Sequence, residues 1–216
     1  MPNIFQNLSK INMTSNKFWT NDKIEKHLIN LLFQNCHKTL FLDYHSTTII
    51  KTEKPDYIIG DCKTTIGVEI TRALDQNIQK VNNIKKLEYK NIHVCPTLFE
   101  NENMTREQIL KLLKKSKNRI IGKPYVGDEL EEKVLKDIIK SIDKKILKYD
   151  TYLKFDKNIL LVHSETRASL DIELVIKKLS SYIFKTNIKF NFIFLKLGET
   201  FYNFNCNSLS TCIIKT

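Results

Sequence analysis

Nowhere in this chain do about 18 apolar residues run together, the length a membrane-spanning helix requires. The first twenty residues alternate polar and apolar without the core of a signal peptide, so the chain reads as cytoplasmic, with no membrane partner. Cysteine is sparse and scattered. Cys36, Cys62, Cys95, Cys206 and Cys212 are odd in number and form no C-x-x-C pair, which argues against structural zinc and a disulfide framework and leaves inert, mostly buried thiols. Only five glycines are present, and none builds a phosphate-cradling loop or a dinucleotide fingerprint. His27, His37, His45, His93 and His163 show no metal-ligand spacing. His163-Ser164-Glu165 has the composition of a triad but no nucleophile elbow, and neighbouring strand residues diverge.

What the chain has in excess is positive charge. Its 35 basic residues against 24 acidic ones leave a net +11, which favours a polyanionic partner such as nucleic acid or an anionic membrane surface. Between Thr105 and Lys157 fifteen Lys or Arg face nine Asp or Glu. From Gln108 to Gly127 there is no acid at all, while Lys111, Lys114, Lys115, Lys117, Arg119 and Lys123 are basic. These six are candidates to grip a nucleic-acid backbone; the bland alternative is a solvated lysine-rich face.

The 216 residues, 42% of them hydrophobic, suffice for one sizeable core. The expected organisation is an irregular leader over 1–19 and one domain over 20–216. Asp22 and Glu25 give a capping-type start to a helix running to about Asn35, with Ile24, Leu28, Leu31 and Leu32 as its stripe and Glu25 at the edge. A strand is expected over Thr39–Tyr44, a hydrophobic segment over Thr47–Ile50, a helix over Asp75–Lys90 and a strand over Asn91–Cys95. Thr105 and Gln108 form a capping box for a short basic helix to about Lys117. Asp128 and Glu131 open the longest helix, to about Tyr149, whose stripe of Leu130, Val134, Leu135, Ile138, Ile142, Ile146 and Tyr149 also takes in Lys145. A strand over Ile159–His163, a helix over Leu170–Phe184 and an aromatic hairpin, Lys189–Leu195 and Thr200–Asn205 turning at Gly198, complete the chain. Interleaved strands and helices imply an α/β fold, a central mixed β-sheet flanked by helices on both faces.

Lys54 to Arg72 is the most informative passage. If its hairpin turns at Cys62 and Lys63, cross-strand partners have numbers summing to 125, and Asp56 faces Glu69. Tyr57, Ile59, Ile66, Val68 and Ile70 then share an apolar face, while Asp56, Ile58, Gly67, Glu69 and Thr71 share the more polar one, with the glycine leaving space. Directly opposed carboxylates destabilise a sheet unless a cation or proton intervenes. Mg²⁺ or Mn²⁺ would remove the conflict, since such ions bind one or two carboxylates together with phosphate oxygens. Two alternatives stay open: Gly60-Asp61 could draw the turn to itself and shift the register, and the acids could be surface residues with no joint role. Lys145 has its own bland reading, a lysine snorkelling from the core's edge.

Pro55-Asp56 followed by Glu69-Ile70-Thr71, after a helix bearing Glu25, resembles the PD-(D/E)xK nuclease superfamily. The likeness extends to the G-V-E-I-T-R strand leading into a helix, the I-x-x-K-x-x-K-Y run of the long helix, the I-L-L-V-H-S strand and the terminal aromatic hairpin, and so covers most of Asp22–Asn205. It implies a restriction-endonuclease-like fold and a metal-dependent (endo)nuclease that hydrolyses phosphodiester bonds, DNA being the expected substrate. In that pattern Asp56, Glu69 and the backbone carbonyl of Ile70 bind Mg²⁺ or Mn²⁺, and Glu25 completes the acidic cluster or holds a metal-bound water. The pattern's lysine, two positions after the glutamate, is here Thr71, which can donate a hydrogen bond but carries no positive charge. Lys145 is the candidate substitute, with Lys148 second.

Two other outcomes compete. The domain could have lost catalysis and serve as a nucleic-acid-binding or protein-interaction module, for which Thr71 is the best support. It could also form a homodimer, either because two-fold symmetry serves the cutting of both strands or through the hairpin aromatics Phe190, Phe192, Phe194, Phe201, Tyr202 and Phe204, whose simpler reading is core.

Overall fold

A computed structural model describes residues 21–40, 42, 46–74, 76–88, 99, 104–115, 125–164 and 170–215. The expected leader, the strand at Asn91–Cys95, His45, His93, Glu165, Lys117, Arg119 and Lys123 lie outside the described residues.

Seven strands form one sheet whose spatial order follows the chain: β1 (Thr48–Lys51), β2 (Tyr57–Gly60), β3 (Thr65–Arg72), β4 (Lys157–Ser164), β5 (Phe192–Leu197), β6 (Thr200–Asn205) and β7 (Ser210–Lys215). β3, β4 and β5 run parallel, and antiparallel strands flank them on either side, so the sheet is mixed. The helices are α1 (Asn21–Leu40), α2 (Gln76–Glu88), α3 (Arg106–Lys115), α4 (Glu129–Lys148) and α5 (Ile172–Lys185).

The two crossovers, through α4 from β3 to β4 and through α5 from β4 to β5, step the same way across the sheet. Connections of one hand therefore lay both helices on the same face. There Val134, Ile138 and Ile142 of α4 and Val175, Leu179 and Ile183 of α5 pack on Leu160, Val162, Ile193 and Leu195. The opposite face is covered by α1, whose Leu28, Ile29, Leu32, Phe33 and Cys36 bury Tyr57, Ile59, Val68, Ile70, Leu161 and Phe194. Central parallel strands are apolar on both faces for this reason, as the run Ile159–Val162 illustrates. A smaller cluster of Val81, Ile84, Phe99, Met104, Ile109 and Leu113 ties α2 to α3.

Several expectations are corrected. The strand placed at Thr39 begins where α1 is still helical, because Leu40 continues the stripe of Leu32 and Cys36 into the core. α4 does start at Asp128, its N-cap residue, though without a side-chain cap bond, and Glu131 accepts the Asp171 N–H at 2.7 Å. The Thr105–Gln108 box does form, with reciprocal bonds of 2.8 and 3.2 Å. β7 was not anticipated. The hairpin aromatics Phe190, Phe192, Phe194, Phe201, Tyr202 and Phe204 are all buried within this chain, which removes them as a free dimer surface.

Candidate active site

The β2–β3 hairpin adopts the register that places its turn at Cys62 and Lys63: Tyr57 opposes Val68, Ile58 opposes Gly67 and Ile59 opposes Ile66. Asp61 stabilises that turn, its Oδ1 accepting the N–H groups of Lys63 and Thr64, each at 2.8 Å. The apolar face of the hairpin meets α1, so its polar face meets α4.

Asp56 stands just before β2 and ties the two strands together, its Oδ2 accepting the Ile70 N–H at 2.6 Å. Glu69 lies one residue earlier on β3, 5% exposed. Its Oε1 accepts a charge-assisted hydrogen bond from Lys145 Nζ, delivered by the last turn of α4. Lys145 belongs to the helix's inward side, three residues after the buried Ile142, which carries its ammonium to β3. Lys148 is exposed at the end of the same helix.

The segment joining α4 to β4 folds back over this region and carries Tyr152 and Phe155. Tyr152 is buried beside Glu69, and its phenol is pushed well above the ordinary range, first by burial and then by the carboxylate. Burial likewise raises the Glu69 carboxyl, with Asp56 adding to the rise while Lys145 and Tyr152 oppose it. Glu69 Oε2 and the Tyr152 hydroxyl are both buried and make no well-formed hydrogen bond among the described residues. The two side chains nonetheless interact with each other, so each offsets part of the other's desolvation. Tyr152 escaped the sequence reading because it sits past the helix's last turn; its spacing of seven from Lys145 was the available signal.

The space expected above Gly67 is taken. A Cβ there would come within 2.6 Å of Phe155 Cδ2 and 3.1 Å of Pro55 Cγ, so the glycine permits these two side chains to close over the hairpin. Thr71 shares Glu69's face of β3, half-buried and opposite Val162.

Glu25 does not join the acids. It rides on α1, which covers the other face of the sheet, and its Oε2 lies 3.6 Å from Lys51 Nζ on β1. A helix's stripe shows that one side is buried without showing which sheet face buries it, so the sequence could not exclude this. Among the described residues no three Asp, Glu, His or Cys side chains converge on a common point. Of the expected ligands, Asp56 Oδ2 is engaged by the Ile70 N–H and Glu69 Oε1 by Lys145, so the buried Glu69 Oε2 is the oxygen that could serve a hydrated Mg²⁺ or Mn²⁺, whose remaining ligands would come from water and phosphate.

On α3, Ile109 and Leu113 face inward while Lys111, Lys114 and Lys115 are exposed, so the described part of the basic region is solvent-facing. No known family model, curated protein or solved structure matches the chain.

Proposed function

We propose that the chain is a metal-dependent nuclease of restriction-endonuclease-like fold, hydrolysing phosphodiester bonds of nucleic acid, with DNA the expected substrate. The observation that carries the reading is the arrival of Lys145 at Glu69: a lysine from α4 stands beside the acid of β3, the strand where Thr71 occupies the usual lysine position. Asp56, Glu69 and the Ile70 carbonyl would hold Mg²⁺ or Mn²⁺, which supplies polarisation of the phosphodiester and a more acidic water. Lys145 orients the attacking water and sets positive charge beside the phosphate as negative charge develops in the transition state. The Thr71 hydroxyl and the Tyr152 phenol add neutral donors on the same side. Glu69, held close to Lys145, keeps the ammonium aimed when no substrate is present. Lys111, Lys114 and Lys115, with Lys117, Arg119 and Lys123, would contact backbone phosphates, giving steep salt dependence and little sequence preference.

Incubation with plasmid, linear duplex, single-stranded DNA and RNA, with and without Mg²⁺ or Mn²⁺, tests this. Metal-dependent cleavage that disappears in Asp56→Ala and Glu69→Ala is the expected result. Absence of cleavage on every substrate, or full cleavage by both variants, overturns it.

A second reading is favoured by the same ion pair. Lys145 already compensates Glu69, so the pair is electrostatically complete without a metal, as a binding module that has lost catalysis would need. That reading expects nucleic-acid binding that survives chelation and the Glu69→Ala change.

A further inference from the structure

On the α1 side of the sheet, away from Glu69 and Lys145, three basic side chains stand in one row across the parallel strands. Arg72, the last residue of β3, is in register with His163 of β4, and His163 is in register with Lys196 of β5. Alternation sets all three on the face of Ile70, Leu161 and Phe194, which α1 covers. The row lies at the carboxyl ends of the three parallel strands, where α/β sheets bind their ligands. His27 of α1 approaches from above: burial and the Lys196 ammonium lower its ionisation, while Glu199 opposes them.

Lys196 is the anomaly in this row. A lysine only 6% exposed is rare without a full ionic partner. Its ammonium donates to the Gly198 carbonyl and rests 5.8 Å from the centre of the Phe201 ring, while the nearest carboxylate oxygen, Glu199 Oε2, is 3.9 Å away on a side chain 95% exposed to water. His163 Nδ1 is buried and has no hydrogen-bond partner among the described residues. Burial, Arg72, Lys196 and His27 push His163 down to about 4, so it is a neutral imidazole at pH 7 within a positive field.

We propose that Arg72, His163 and Lys196, with His27 of α1, form a binding site for a phosphoryl group. A planar guanidinium fork, an ammonium and an imidazole N–H bring donors from three strands, with a second imidazole above. That number suits the several oxygens of a tetrahedral oxyanion better than the two of a carboxylate. An anion there would offset the cost of the buried ammonium. The site lies on the opposite face of the sheet from Asp56, Glu69 and Lys145 and stands whether or not those residues cut nucleic acid.

The test is titration of the full chain at constant ionic strength, with chloride as the balancing anion, following histidine imidazole resonances and the melting temperature. Three probes separate the sources of the group: inorganic phosphate, adenosine monophosphate, and an unphosphorylated dinucleotide whose single phosphate is a diester. A saturable shift of the His163 resonance with at least one probe is expected, accompanied by a higher melting temperature. Binding at least tenfold weaker is expected for Lys196→Gln and unchanged for Lys185→Gln at the exposed end of α5. Glu199→Gln removes the nearby negative charge and should tighten binding; it also decides the matter should Lys196→Gln fail to fold. Response to the monoesters alone assigns the site to a free or terminal phosphate, and response to the dinucleotide assigns it to a nucleic-acid backbone. No saturable shift with any probe, or equal affinity in wild type and Glu199→Gln together with a His163 resonance that never moves, overturns the proposal.

Discussion

The Lys145 ammonium, on the last turn of α4, donates to Oε1 of Glu69, buried in β3, seventy-six residues away in sequence. This contact joins α4 to the strand that carries Glu69. Lys145→Met should leave a buried carboxylate without its cation, destabilising the fold by roughly 1–3 kcal/mol at pH 7, less than a fully enclosed pair would lose because Lys145 is 22% exposed. Urea unfolding measures this. The exposed Lys148→Met serves as the control and should change stability by no more than about 0.5 kcal/mol.

Glu69→Gln should cost no stability at pH 7, or raise it, while abolishing any metal-dependent chemistry. The folded-state carboxyl is raised above its ordinary 4.5, chiefly by burial, so in that window the folded protein binds more protons than the unfolded chain. Glu69 therefore makes the protein less stable as pH rises from 4.5 towards the folded value. Denaturation midpoints across pH 4 to 7 should show this downward contribution in wild type and its absence in Glu69→Gln.

His163 contributes with the opposite sign. Its folded value, about 4, lies below the ordinary 6.5, so as pH falls through 6.5 the unfolded chain takes up a proton that the folded imidazole refuses. Stability from this group is complete above 6.5 and is lost progressively down to about 4. His163→Gln should flatten that stretch of the acid limb; an unchanged slope would show that the imidazole protonates freely in the fold.

Gly67→Ala should destabilise by about 1–3 kcal/mol, because the added methyl meets the Phe155 ring at 2.6 Å and Pro55 from the other side. The double variant Gly67→Ala, Phe155→Leu should recover part of this loss, since the smaller side chain vacates the contact. Thermal melts of the three variants decide it.

Much of the arrangement was legible in the residues. The apolar set Tyr57, Ile59, Ile66, Val68 and Ile70 favoured the register found, since a slip by one residue would turn half of it out of the core, although Gly60-Asp61 left a shifted turn open. Lys145 was legible as a lysine set within an apolar stripe, and the resemblance directed it to the acids, since the stripe shows only that the helix buries that side. Glu25 illustrates the converse: its helix packs on the far side of the sheet. The row Arg72, His163 and Lys196 was invisible because parallel register is set by crossovers and leaves no trace in local spacing. β7 went unread because Ser210–Lys215 is an edge strand, whose exposed Ser210, Thr211 and Cys212 dilute the hydrophobic signal.

The most direct measurement is the rate of Mg²⁺-dependent cleavage of linear duplex DNA under single-turnover conditions, for wild type, Glu69→Gln, Lys145→Met and Lys148→Met, each shown to be folded at the assay temperature. Cleavage by wild type and Lys148→Met, with losses of about 100-fold or more in Glu69→Gln and Lys145→Met, is the result expected of a general acid–base and charge-stabilising role. Equal rates in wild type and Lys145→Met, or no cleavage by any of the four, would contradict the assignment of Lys145 and Glu69 to a hydrolytic centre.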